Sequence, residues 1–278
     1  MQLDDVAFLA QMLRRRSGLI LNQSKPQTIE NRLAPVMRRF GFREMQSLIA
    51  ELRHGRDVLA RAVTEAMTTN ESSFFRDPTT FEQFRDVVLP GLTLRRAAIK
   101  KLRIWCAACA AGQEAYSIAM LLDDLKLRAE GWTIDIVATD ISMEMIERCE
   151  RGLYSHFEVQ RGLPIRRLVE SFTQEGSNWR ISEPLRRMVT FRQFNLLDSF
   201  GWLDDIDVVF CRNVLMYFDN KTKINVLEKI AEVLVPDGYL LLGPVETVQG
   251  LSSEFEAVGG TPGVYTRARR SPSFAANA

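Results

Sequence analysis

The first 70 residues repeat apolar side chains at helical intervals. Leu3, Val6, Ala7, Ala10 and Leu13 form one stripe, and Ile29, Leu33, Val36, Met37 and Phe40 a second. Met45, Leu48, Ile49 and Leu52 form a third, and Val58, Leu59, Ala62, Val63 and Ala66 a fourth. Apolar positions every three or four residues predict short amphipathic helices, which bury these faces together in a small bundle. Pro35 interrupts the second stripe. Its ring removes an amide donor and crowds the preceding turn, so that helix is expected to kink or restart there.

From about residue 100 the period changes. Short apolar runs, RIWCA (103–107), IDIVA (134–138), MVTFRQF (188–194), IDVVFC (206–211), YLLLG (239–243) and GVYTR (263–267), read as strands. A helix with Ala115, Ile118, Ala119, Leu122 and Leu125 on one face separates the first two. Another, from Asn220 to Val235, separates the fourth and fifth and is stopped by Pro236 and Gly238. Such alternation predicts an α/β fold with a mainly parallel sheet and helices on both faces. Residues 150–187 mix Gly, Pro, aromatic and charged positions and read as an insertion. The expected division is a helical domain over 1–68, a linker over 69–100, a sheet domain over 101–267 containing that insertion, and a disordered tail over 268–278.

Composition narrows the possible chemistry. With 46% hydrophobic residues and a net charge of +1, the chain can support a folded core. No apolar run approaches the ~20 residues of a membrane span. The start MQLDDVAFLA has acids where a secretory leader needs bases, so a cytoplasmic protein with reduced cysteines is expected. Only His54 and His156 are present, far apart and outside any motif, which excludes a His-based triad or a multi-histidine metal site, and no metal is expected. The near-zero charge is uneven: residues 1–61 hold 11 Lys and Arg against 6 Asp and Glu. A basic helical end suits an acidic partner.

In an open α/β sheet, ligands sit beyond the carboxyl ends of the strands. After the first strand comes AACAAGQEAYS (107–117), whose small residues allow close approach of backbone to ligand, although Gly112 is its only glycine. The second strand ends at Asp140, 28 residues beyond Gly112, where a carboxylate can accept ribose hydroxyls or simply cap the next helix. Asn195 and Leu196 follow the third strand, and Arg212 and Asn213 the fourth. Polar groups after four strands in succession favour a nucleoside ligand over packing. In MTTNESSFFRDPTTF (67–81), Asn70, Ser72 and Arg76 are threaded between Phe74, Phe75 and Phe81, which reads as a lid bringing an aromatic wall and a guanidinium, or as a helix start packed by its rings. Cys106 and Cys109 form WCAAC, but the first lies within a strand, so packing is preferred to redox chemistry.

Together, TTNESSFFRD, GQEAYSIA, ATDIS, FNLLD, FCRNVLMYF and LVPDGYLLLGPVE resemble the signatures of the CheR chemotaxis-receptor methyltransferases. The resemblance spans nearly the whole chain. It implies a Rossmann-like, doubly wound methyltransferase sheet, a receptor-docking helical domain and an inserted antiparallel β-subdomain. It also implies S-adenosylmethionine (SAM) as methyl donor, S-adenosylhomocysteine (SAH) as product, and a glutamate in the helical cytoplasmic domain of a chemoreceptor as acceptor. The SAM contacts would be Asn70, Ser72, Arg76, Glu114, Asp140, Asn195, Leu196, Arg212 and Asn213, with Arg76 and Tyr217 nearest the methyl group. The family loop usually reads GEEPYS, so the role of its second acid is carried to Glu114 alone. In members that bind a receptor's C-terminal pentapeptide, a loop of the insertion is longer than SFTQEGSNWRIS (171–182) here, so no such tether is expected. A monomer without nucleic-acid partner or membrane insertion is expected. A methyltransferase acting on RNA or a small molecule, and a non-catalytic SAM- or SAH-binding regulator, are the alternatives.

Overall fold

A computed structural model describes residues 2–21 and 26–268. The tail expectation for 268–278 therefore lies, from 269 onward, outside the described residues. The N-terminal unit contains α1 (Leu3–Ser17), α2 (Pro26–Phe40), α3 (Met45–Arg53) and α4 (Asp57–Met67). Val6, Leu9, Leu13, Ile29, Leu33, Leu48, Leu59 and Val63 are the closed centre of this bundle, and all belong to the apolar stripes or their flanks. Pro35 does not restart α2, which continues to Phe40. Pro35 is exposed while Leu33 and Val36 are buried beside it, so the carbonyl it deprives of a partner is on the wet side of the helix.

The second unit opens with α5 (Pro78–Gln83), which runs through a π-helical turn at Phe84–Val88 into α6 (Leu89–Arg95). Phe81, Phe84, Val88, Leu89 and Leu92 are buried in the sheet's own core. Half of the segment read as a linker is thus a packed helix of the sheet domain. Then follow β1 (Lys101–Ala107), α7 (Gln113–Asp124), β2 (Thr133–Asp140) and α8 (Met143–Arg151). β6 (Val189–Gln193), β7 (Ile206–Cys211), α12 (Asn220–Val233), β8 (Leu234–Leu242), β9 (Phe255–Ala257) and β10 (Val264–Arg267) complete the large sheet.

Its strand order is β6-β2-β1-β7-β8-β10-β9. Strands β6 to β8 are parallel, and β10 and β9 add antiparallel at the edge. The three-residue β9 escaped the strand reading because one buried residue makes no alternation. Pro236 and Gly238 fall inside β8, not at the end of α12, at an irregularity in pairing with β7. The order reverses between β1 and β7, and a crevice opens at that switch point.

The insertion between α8 and β6 holds β3 (Leu153–Ser155), α9 (His156–Gln160), α10 (Ile165–Ser171), β4 (Phe172–Glu175), β5 (Asn178–Ile181) and α11 (Glu183–Arg186). Its three strands pair antiparallel in the order β3-β5-β4. Glu175 pairs with Asn178, so the hairpin turn has two residues, with Gly176 at φ 60°. The short loop read at 171–182 is therefore as tight as a hairpin allows.

Candidate active site

A cleft of about 910 Å³ lies at the switch point. Every carboxyl end from β6 to β7 contributes to it: Ala108, Cys109 and Ala110 after β1, Asp140 and Ile141 at the end of β2, Phe194, Asn195 and Leu196 after β6, and Arg212, Asn213 and Val214 after β7. Asn70, Ser72, Arg76, Glu114 and Tyr217 also line it. All ten residues singled out from sequence thus share one cavity. Sequence reading missed Ser17, Leu19, Thr68 and Thr69, which bring the helical unit into the cavity wall.

The floor is made by a strained loop. Ala108 (φ 57°), Ala110 (φ 49°) and Gly112 (φ 86°) alternate into the left-handed region. Alanine there costs about 1–2 kcal/mol, so fixed partners must hold it. Cys109 N donates to Thr139 O at 2.8 Å, and Ala110 N donates to Asp140 Oδ2 at 2.9 Å. Gly112 is obligatory as well: a Cβ there would stand 2.9 Å from Cys149 Sγ. The glycine-poor loop therefore does with alanines what glycine-rich loops do with glycines.

Asp140 also accepts from Ser142 N at 2.9 Å. It is buried, and that burial pushes its carboxyl up to about 6 against the backbone donors that pull it down. Ser142 caps α8 and reaches Glu65 of α4 at 3.4 Å. Asn195 Nδ2 donates to Arg16 O at 2.6 Å, and its Oδ1 receives Leu197 N at 3.1 Å.

The opposite wall is ionic. Arg212 Nη1 donates to Glu114 Oε2 at 2.7 Å, and its Nη2 to Asp77 Oδ2 and Arg76 O, each at 2.8 Å. Its Nε is buried without a partner. Burial pushes the Glu114 carboxyl up, Arg212 draws it down, and the charge of Glu246 adds to the rise. Arg76 Nη1 donates to Glu71 O at 2.9 Å, and Arg76 stays partly exposed at the cavity.

The aromatic wall expected from Phe74, Phe75 and Phe81 is corrected by the structure, since none of the three lines the cleft. Phe74 is fully buried against Tyr154 at 5.0 Å and Phe172 at 5.5 Å, and Phe81 packs on Phe75 and Phe210. They anchor the segment in the core and leave Asn70, Ser72 and Arg76 facing the cavity. Phe75 (φ 48°) and Asp77 (φ 56°) twist the chain on either side of Arg76. The four cysteines are buried and unpaired, as packing predicted. His54 and His156 are exposed, and His156 stacks on Trp179.

The donor set fits a nucleoside sulfonium. Asp140 is a buried carboxylate able to accept from hydroxyls, the small-residue loop admits close backbone approach, and Glu114 adds negative charge to the cavity wall.

At least five basic side chains of the helical unit are already engaged, among them Arg53 with Asp5 at 3.6 Å and Arg61 with Asp57 at 3.0 Å. Arg14 pairs with Asp219, Arg16 with Asp57 at 2.6 Å, and Arg32 donates to Met67 O and Thr69 Oγ1 at 2.7 and 3.1 Å. Arg15, Arg38, Arg39 and Arg43 are exposed.

Two family profiles cover the chain: "CheR methyltransferase, all-alpha domain" over residues 4–68, and "CheR methyltransferase, SAM binding domain" over 70–264. The chemotaxis protein methyltransferase Cher2 of Pseudomonas putida is 37% identical over 262 residues, 92% of this chain and 95% of that protein. A chemotaxis protein methyltransferase of Vibrio parahaemolyticus is 38% identical over 259 residues, 92% and 93% of the two chains. Chemotaxis protein methyltransferase 1 of Pseudomonas aeruginosa is 36% identical over 269 residues, 95% and 98% of the two.

Proposed function

This chain belongs to the CheR family of SAM-dependent chemotaxis methyltransferases, and we propose that its acceptor is a glutamate side chain in the helical cytoplasmic domain of a chemoreceptor, which becomes a methyl ester. The observation that carries the reading is the convergence of Arg76 and Tyr217 with four strand-end loops on one cleft that contains no histidine.

When bound, SAM supplies an electrophilic methyl group on sulfur. Asp140 would accept the ribose hydroxyls, Asn195 and Leu196 would hold the adenosine side, and Glu114, Arg212 and Asn213 the amino-acid end. Asn70 and Ser72 close the cavity from the lid. A glutamate carboxylate, with an ordinary pKa near ~4.3, reaches the site already ionised, so no general base is required. Arg76 holds this carboxylate by a charge-assisted contact and Tyr217 aligns it, while the walls exclude water.

Arg15, Arg38, Arg39 and Arg43 offer positive charge to an acidic receptor helix. The two-residue β4–β5 turn supports docking without a pentapeptide tether. The enzyme acts in the cytoplasm as a monomer.

The test is methyl transfer from labelled SAM to receptor-containing membranes, read as base-labile methanol, using receptors with and without their C-terminal tails. Labelling at glutamate, weakened by rising salt and indifferent to the tail, is expected. Base-stable label, or label in RNA, would overturn the acceptor assignment.

A further inference from the structure

Glu246 ends the turn that follows β8, where its own N donates to Gly243 O at 3.0 Å. The residue is 8% exposed, and no Lys or Arg among the described residues forms an ion pair with it. Its carboxylate is instead filled by three backbone amides. Oε2 accepts from Asn213 N at 2.7 Å and Gly243 N at 2.9 Å, and Oε1 accepts from Met216 N at 3.2 Å. Two of these amides belong to the loop after β7, which carries Arg212, Asn213, Val214 and Tyr217 into the cleft.

That loop needs an external restraint. Asn213 is left-handed, at φ 59°, and the three residues Leu215–Tyr217 form a single 3₁₀ turn too short to hold itself. Gly243 makes room for the clamp: a Cβ there would lie 2.8 Å from Glu246 Oε2 and 3.0 Å from Asn213 N. An ionised carboxylate serves all three donors because both oxygens accept, whereas an amide accepts through one only.

We infer that Glu246 is a positioning residue for methyl transfer, with one oxygen fixing the cofactor wall at Asn213 and the other fixing Met216 and, through it, the adjacent Tyr217. This rests on the reading of Tyr217 as the aligning residue. The two arms predict separable defects.

In Glu246→Gln, the amide oxygen keeps Asn213 N and Gly243 N, and the NH₂ group is turned against Met216 N–H. Exchange of the Met216 amide should accelerate at least about tenfold while Asn213 stays protected. Affinity for SAH by calorimetry should hold within about twofold, while kcat falls about ten- to a hundredfold. Glu246→Ala loses both arms, and SAH affinity should fall as well. Should the alanine variant fail to fold, the glutamine variant alone decides. Unchanged Met216 exchange in Glu246→Gln, or SAH affinity lost in proportion to kcat, overturns the inference. If wild type transfers no methyl to receptor carboxylates but the exchange pattern holds, the acceptor assignment falls and the clamp stands.

Discussion

Arg212 reaches back across the cleft wall to Glu114, Nη1 to Oε2 at 2.7 Å, with the arginine side chain only 1% exposed. One guanidinium thereby ties the loop after β7 to the first turn of α7 and to Asp77 at the start of α5. Breaking a buried pair from one side costs more than the pair contributes, because the surviving charge stays desolvated. Glu114→Ala should lower unfolding free energy by about 3 kcal/mol, the low end for a stranded charge because Asp77 remains. Urea denaturation measures this, and a loss below about 1 kcal/mol would refute the account.

Asp140 should make SAH binding pH-dependent. Its carboxyl titrates at about 6 in the free protein because it is buried. With Asp140 accepting the ribose hydroxyls as proposed, the ionised form binds, so a proton must leave first and affinity should fall as pH drops through about 6. Well below that value the loss approaches about tenfold per pH unit. Calorimetry between pH 5 and 7.5 should show this in wild type and not in Asp140→Asn, which should bind weakly throughout. Equal wild-type affinity at both ends would remove Asp140 from the ribose.

Arg76→Ala should reduce kcat by about a hundredfold or more, beyond whatever SAH affinity is lost with its place in the cofactor wall, since its expected partner is the acceptor carboxylate. Tyr217→Phe, which removes a hydroxyl and keeps the ring, should lose about tenfold. Full turnover in either variant would contradict the role given to that side chain.

Gly162 lies in the insertion at φ 86°, where an added Cβ would come within 2.1 Å of Phe74 O. Gly162→Ala should therefore push Phe74 out of its pocket and displace Ser72 and Arg76 with it. A loss of about 2–4 kcal/mol is expected, from the clash and the left-handed backbone together. The melting temperature should fall and SAH affinity weaken, and an unchanged melt would show that the loop yields without cost.

Much of this site was legible because strand ends are legible. Asp140, Asn195 and Arg212 each follow a short apolar run, and the sheet's switch point gathers whatever follows such runs. What stayed hidden depended on contacts across the fold. The rings at Phe74 and Phe81 leave the same sequence pattern whether they face a ligand or the core. Glu246 acts on backbone amides about 30 residues away, and no local period records such a bond. Pro35 misled for a related reason, because its cost depends on which side of the helix meets water. The strain at Ala108 and Ala110 likewise belongs to the tertiary anchors at Thr139 and Asp140.

The end of α1 and the chain that follows it do more than connect. Leu19 bridges Phe218, Ile20 N donates to Tyr217 O at 2.9 Å, and Ser17 and Leu19 face the cavity. Both units therefore wall the cavity, even though the two family profiles meet at residue 69. Excising the first 68 residues opens one side of the chamber and releases the backbone beside Tyr217. A graft that exchanges this domain for another recognition module inherits the same constraint: it must supply a replacement wall as well as a new specificity.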